Sequence, residues 1–164
     1  MTQNGVRVLS RLDLPPGRYK LRVAAREDVA MTEGSVHYDL EVPDYAKKPL
    51  DMSSIALAAA SDRALPFGSD LLFGGSLPVP PTALREFPAG DELMAVAEIY
   101  DNVAAPSHTV EIVTTVRTHE GRELASTTET RTSEEVRGMS GAYRYSAHLP
   151  LKGVPAGSIS FLLT

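Results

Sequence analysis

Four histidines, His37, His108, His119 and His148, are the side chains here best suited to proton transfer or metal ligation, yet they stand singly along the chain. A metal face needs ligands paired at short, regular intervals. Each histidine therefore reads as a surface or strand residue. The chain has no cysteine, which excludes disulfides, thiolate metal sites and a cysteine nucleophile together. There is no Gly-x-Ser-x-Gly elbow, and Gly68-Ser69-Asp70 and Gly74-Gly75-Ser76 lack the strand-to-helix setting that would give them a catalytic or phosphate-binding meaning. Glycosidase chemistry needs two carboxylates facing across a cleft, which spacing along a chain does not place. Calcium wants several oxygens from one loop, and Asp44, Asp101 and Asn102 are the residues to offer them at the end of a sandwich. Sugar binding leans on exposed aromatic platforms, of which a chain with no tryptophan and 6% aromatics offers few. The reading is thus of no catalytic residue, no cofactor and no metal.

Composition narrows the classes further. The 164 residues are 43% hydrophobic and 23% charged, as in an ordinary globular protein. The net charge of −5 comes from interspersed acids and bases, leaving no basic stripe to hold a phosphate backbone, so nucleic acid is not an expected partner. No apolar run approaches the roughly 20 residues of a membrane span. Met1-Thr2-Gln3-Asn4-Gly5-Val6 has neither the basic start nor the apolar centre of a signal peptide.

The elements that would position any site are β-strands. Leu14-Pro15-Pro16-Gly17 stops a helix, because proline lacks the amide donor and glycine supplies turn freedom. A strand then begins, with Tyr19, Leu21 and Val23 on one face and Arg18, Lys20 and Arg22 on the other, which predicts one core face and one solvent face. In immunoglobulin-like sandwiches a tyrosine at such a corner sends its hydroxyl back to the backbone. Gly17 and Tyr19 occupy those positions, and Leu21 stands where antibody-type domains carry a disulfide cysteine, so the affinity is with cysteine-free, fibronectin-like sandwiches.

Along the chain, residues 6 to 14 predict a strand leading into the corner, and Ser35 to Val42 alternates again, with Val36, Tyr38, Leu40 and Val42 on one face. Pro43 to Pro49 has the composition of a linker, giving terminal strands over 1–43, a linker over 44–49 and a sandwich domain over 50–164. Ile55 to Ala60 suits a helix by alanine content, but its all-β setting favours an edge strand. Residues 61–90 are irregular and proline-rich, with a short strand or hairpin expected around Leu71-Leu72-Phe73 and another near Ala83 to Phe87. Leu93 to Tyr100 predicts a central strand covered on both faces. Thr109 to Thr118 and Arg122 to Thr130 predict a hairpin whose turn glycine is Gly121. Ser133 to Gly141 reads as a turn, followed by a strand over Ala142 to Leu149.

The corner recurs. Val154-Pro155-Ala156-Gly157-Ser158-Ile159 matches the opening stretch, with Gly157 on Gly17 and Ile159 on Tyr19, so the second copy keeps the packing but not the hydroxyl. If both copies mark the same point, the chain holds the tail of one sandwich and then a second that stops inside its penultimate strand. The expectation is an excerpt of a longer multidomain protein, or a chain whose hairpin over 17–42 fills the position beyond Thr164, within the chain or between neighbours.

Leu12-Asp13-Leu14-Pro15-Pro16-Gly17-Arg18-Tyr19 and Tyr38 to Asp44, with Arg85-Glu86-Phe87, Gly90 to Leu93 and Glu98-Ile99-Tyr100-Asp101, resemble the region downstream of the von Willebrand factor A-like domain in acidobacterial secreted proteins. That resemblance covers most of the chain and implies an extracytoplasmic, non-enzymatic β-sandwich region. It lends no metal site, because Asp51-Met52-Ser53-Ser54-Ile55 departs from Asp-x-Ser-x-Ser at its last position. The expectation is an all-β, immunoglobulin-like antiparallel sandwich acting as a structural or protein-interaction module, with self-association through sheet edges. The alternative is an accessory module binding carbohydrate or calcium.

Overall fold

The computed structural model describes residues 6–8, 10, 12–29, 31–62, 65–67, 81–104, 106–138 and 141–164. Its strands are β1 (Val6–Val8), β2 (Gly17–Glu27), β3 (Thr32–Val42), β4 (Leu50–Met52), β5 (Ala56–Ala59) and β6 (Leu65–Phe67) in the first half. The second half has β7 (Glu92–Asp101), β8 (Thr109–Thr118), β9 (Glu123–Thr132), the short helix α1 (Ser133–Arg137), β10 (Tyr143–Pro150) and β11 (Ile159–Leu163). The fold is all-β, and the sheets are antiparallel apart from the short parallel pairing of β1 with β6.

Two sheets close over a common core. In the first, β7 is central, pairing with β10 on one side and with β4 and β5 on the other. The second runs β11-β8-β9. The sequence dictates this centrality, because Leu93 to Ala97 offers apolar residues to both faces, and Leu93, Ala95, Val96 and Ala97 are all buried. The core joins Ala97 and Ile99 of β7, Val110 and Ile112 of β8, Val136 of α1, Tyr145 of β10 and Leu163 of β11. Each large side chain so buried contributes about 1.5–3 kcal/mol. A polar contact crosses the core as well, where the Tyr145 and Thr114 hydroxyls lie 2.7 Å apart. At the other end a smaller cluster gathers Ala59, Leu93 and Leu151.

β8 and β9 form the expected hairpin, with Gly121 at φ 88° in its turn and an irregular register at Val116 and Arg117. Ile55 to Ala60 resolves in favour of a strand, β5. The stretch expected to be a turn from Ser133 instead opens with a helix, because Thr132 and Glu135 make a reciprocal cap. The Glu135 carboxylate accepts from the Thr132 amide at 2.7 Å, and the Glu135 amide donates to the Thr132 hydroxyl at 3.3 Å. Residues 83–87 form no strand. Their backbone is served locally, with the Leu84 amide on the Thr82 hydroxyl, and the prolines at 81 and 88 have no amide to give a ladder. The strand expected around 71–73 lies outside the described residues. Of residues 6–14, the described strand covers Val6–Val8 alone.

Candidate functional site

β2 and β3 pair along their whole lengths, 11 residues each, from Gly17 opposite Val42 to Glu27 opposite Thr32. Directly opposed residues share a face, so Tyr19 with Leu40, Leu21 with Tyr38 and Val23 with Val36 make one apolar row. The other row is charged and largely self-compensated, with Arg18 opposite Glu41 at 3.6 Å and Lys20 opposite Asp39. Here the structure departs from the expected core face. Val23 is 52% exposed, Val36 65% and Tyr38 63%, because among the described residues the two strands pack on each other and hardly on the other strands. At the tip, Val29 and Met31 are exposed too, and Met31 takes the left-handed conformation, φ 54°, that favours glycine.

The corner that launches this ribbon is tied locally. The Tyr19 hydroxyl donates to the Pro15 carbonyl at 2.7 Å, and the Tyr19 ring lies over Gly17, where a Cβ would meet the hydroxyl at 3.4 Å. Gly157, at the second corner, has nearly the same φ as Gly17, 148° against 159°. Gly17 opens β2 and Tyr19 lies within it, whereas Gly157 stands two residues before β11, so the three are not brought to one site.

The second corner leads into β11, which pairs with β8 on one edge. Ser158 accepts from the His119 amide at 2.9 Å, and Thr164 and Val113 exchange bonds of 2.8 and 3.0 Å. Alternate residues of an antiparallel strand bond to opposite edges. The amides and carbonyls of residues 159, 161 and 163 therefore point away from β8, and among the described residues no strand pairs with them.

Residues 44–49, between ribbon and sheets, are held to the end of β7. Tyr45 stacks on Tyr100 with ring centroids 4.6 Å apart. The Asn102 side-chain amide donates to the carbonyls of Tyr45 and Lys48 at 2.7 and 2.9 Å, and its backbone amide donates to Pro49 at 2.8 Å. Tyr100 in turn donates to Glu98 at 2.8 Å. Burial first, and then that bond to a carboxylate, pushes the Tyr100 hydroxyl up to about 12.

Asp101 is buried, and one carboxylate oxygen lies 3.3 Å from His108 Nε2 and 3.2 Å from Arg137 Nε, while the other accepts from the Val103 amide. Spacing alone did not group these residues; the turn after β7 and helix α1 bring them together. Asp44 accepts from the Ala46 amide and faces Lys47. Asp44 faces Lys47, Asn102 bonds through its side-chain nitrogen, and Asp101 Oδ2, though near His108 and Arg137, is a buried oxygen with no hydrogen-bond partner; among the described residues no cluster of three or more acidic or histidine ligands occurs. The remaining histidines lie apart, His37 opposite Arg22, His119 in the β8–β9 turn and His148 opposite Met94.

Between the sheets, alongside the main core, lies an open cleft of about 1180 Å³ whose walls include Leu57, Val116, Tyr145, Leu149 and Val154. Beside Glu129, which lines the cleft, Arg131 donates to the Tyr143 hydroxyl at 3.0 Å and to Glu129 at 2.6 Å. No described helix is long and apolar enough to cross a membrane. No family model, curated protein or solved structure matches this chain.

Proposed function

We propose that this chain is a non-catalytic, immunoglobulin-like sandwich region of a larger exported protein, and that it works by contacting other proteins through its sheet edges and its ribbon. The observation that carries this reading is the β2–β3 ribbon, whose apolar row stays in water with Val36 and Tyr38 each more than half exposed. Contiguous exposed apolar surface on a soluble protein marks an interaction site. The strand order, with β7 between β10 and β4/β5 and β8 between β11 and β9, supports the immunoglobulin-like part of the reading. The placement outside the cytoplasm rests on the resemblance to secreted acidobacterial proteins.

Light scattering across a wide concentration range tests the proposal. Self-association that rises with concentration, and that Tyr38→Lys suppresses without lowering the melting temperature, supports it. A chain that stays monomeric and captures no β-rich partner removes it. The cleft favours a second reading, an accessory module for a small ligand. A melting temperature raised by a sugar or by calcium would select that reading, since a ligand specific to the native state stabilises by mass action.

A further inference from the structure

We propose that Arg131 is a guard on the outer edge of β9. Its guanidinium occupies the edge's own backbone and holds a charged pair where an added strand would have to lie, so strand-mediated contacts of this chain are turned away from β9.

β9 needs such a guard. It is 10 residues long, threonine-rich and without proline or lysine, and a long exposed edge of that kind is a template for pairing with another chain. The Ser133 amide donates to the His108 carbonyl at 2.8 Å, so by the β8–β9 register residues 127, 129 and 131 turn their backbone groups toward β8. Those of residues 126, 128, 130 and 132 point outward, where no strand pairs with them among the described residues. Thr130 and Thr132 are already engaged by side chains. Arg131 Nη1 donates to the Thr130 carbonyl at 3.2 Å, and the Thr132 amide donates to the Glu135 carboxylate at 2.7 Å. An added strand is left with Ser126 and Thr128, well short of the roughly five or six residues over which strands usually pair.

The inner side is defended by the same group. Directly opposed residues share a face, so Glu129, opposite Ile112, and Arg131, opposite Val110, stand on the face that those two β8 residues bury in the main core. Charge pointing inward at an edge resists a further strand, which would have to bury it. Arg131 Nη2 meets Glu129 Oε2 at 2.6 Å, with the two side chains 34% and 33% exposed, so water still solvates the pair. Its Nε donates to the Tyr143 hydroxyl at 3.0 Å, and the guanidinium carbon lies 5.8 Å from that ring's centroid. One planar fork thus holds three acceptors and reaches from the edge of one sheet to β10, the edge strand of the other. Lysine, a point charge with no fork, does not reproduce that hold.

The test is made in the full chain carrying Tyr38→Lys, which puts a charge in the exposed ribbon row. Sedimentation equilibrium compares this parent with the same chain carrying Arg131→Thr or Arg131→Lys, each checked for folding by circular dichroism. Both substitutions should raise the weight-average mass at least two-fold over the parent at the same concentration. In the associated state the amides of Ser126 and Thr128 should exchange at least ten-fold more slowly than in the parent, because they gain ladder partners. Unchanged mass in the Arg131→Thr chain overturns the proposal, and so does association that leaves those two amides unprotected, since the contact then lies elsewhere. A folded Arg131→Lys chain that keeps the parent's mass while Arg131→Thr associates also overturns it, because charge alone is then the guard. If Arg131→Thr fails to fold, Arg131→Lys decides by the same two readings. The ribbon reading is judged separately, by whether Tyr38→Lys lowers association of the otherwise unaltered chain.

Discussion

Tyr145 of β10 and Thr114 of β8 join the two sheets through hydroxyls 2.7 Å apart in a buried setting. Both residues are nearly fully buried, so losing either partner costs more than the net value of the single bond. Thr114→Val leaves the tyrosine hydroxyl unpartnered and should cost about 1–3 kcal/mol, as should the complementary loss in Tyr145→Phe. The double variant should lose less than the sum, and a chemical-denaturation cycle measures that difference. Strict additivity would mean that the contact carries no coupling.

The Tyr19 tether acts on the ribbon rather than on the core. Tyr19→Phe removes the bond to Pro15, a net loss of about 0.5–1.5 kcal/mol. Amide exchange should accelerate over residues 18–26 and stay unchanged over 93–100, because the ribbon scarcely touches the sheets. Equal acceleration in both regions would show that ribbon and core unfold together.

At the start of α1, hydrogen bonds from the Thr132 amide and then its hydroxyl hold the Glu135 carboxyl below its usual value of 4.5. A depressed carboxylate contributes stability that is present above the unfolded value and is lost as pH falls through the folded one. Melting temperature should therefore fall more steeply below pH 4.5 in the unaltered chain than in Glu135→Gln. Parallel curves would remove the charge from the account. Thr132→Ala, which deletes the cap itself, should cost about 1 kcal/mol at neutral pH.

Asn102→Ala deletes the side-chain amide that holds Tyr45 and Lys48. Backbone order parameters over residues 45–48 should drop from the rigid range near ~0.85 toward ~0.6 or below. Retained rigidity would assign the hold to the Tyr45–Tyr100 stack alone.

Alternation made the strands legible. β7, the β8–β9 hairpin and β10 follow from apolar runs and turn residues that local physics reads directly. α1 was hidden because five residues are too few to show helical periodicity, although Thr132-x-x-Glu135 carried the capping signal in plain view. Residues 83–87, two apolar, two charged and one apolar, carry no clean alternation, and the amides missing at Pro81 and Pro88 argue against a ladder there. The exposed ribbon face lay beyond the pattern's reach, since alternation tells which of Tyr19, Val23 and Tyr38 share a face but not whether anything covers it. Arg137 is distant in sequence from Asp101 and His108, and the meeting of the three depends on the path of the turn after β7 and on α1, which no spacing rule encodes.

The hold on residues 44–49 has a mechanical meaning. Tension arriving along the ribbon reaches the sheets through Pro49 and the Asn102 side chain before it reaches the three residues of β4. A pull would thus load a compact knot of hydrogen bonds and a stacked ring pair instead of peeling a short edge strand from one end. The segment between ribbon and sheets is built as a strain relief, sparing β4 from being unzipped when the ribbon is pulled.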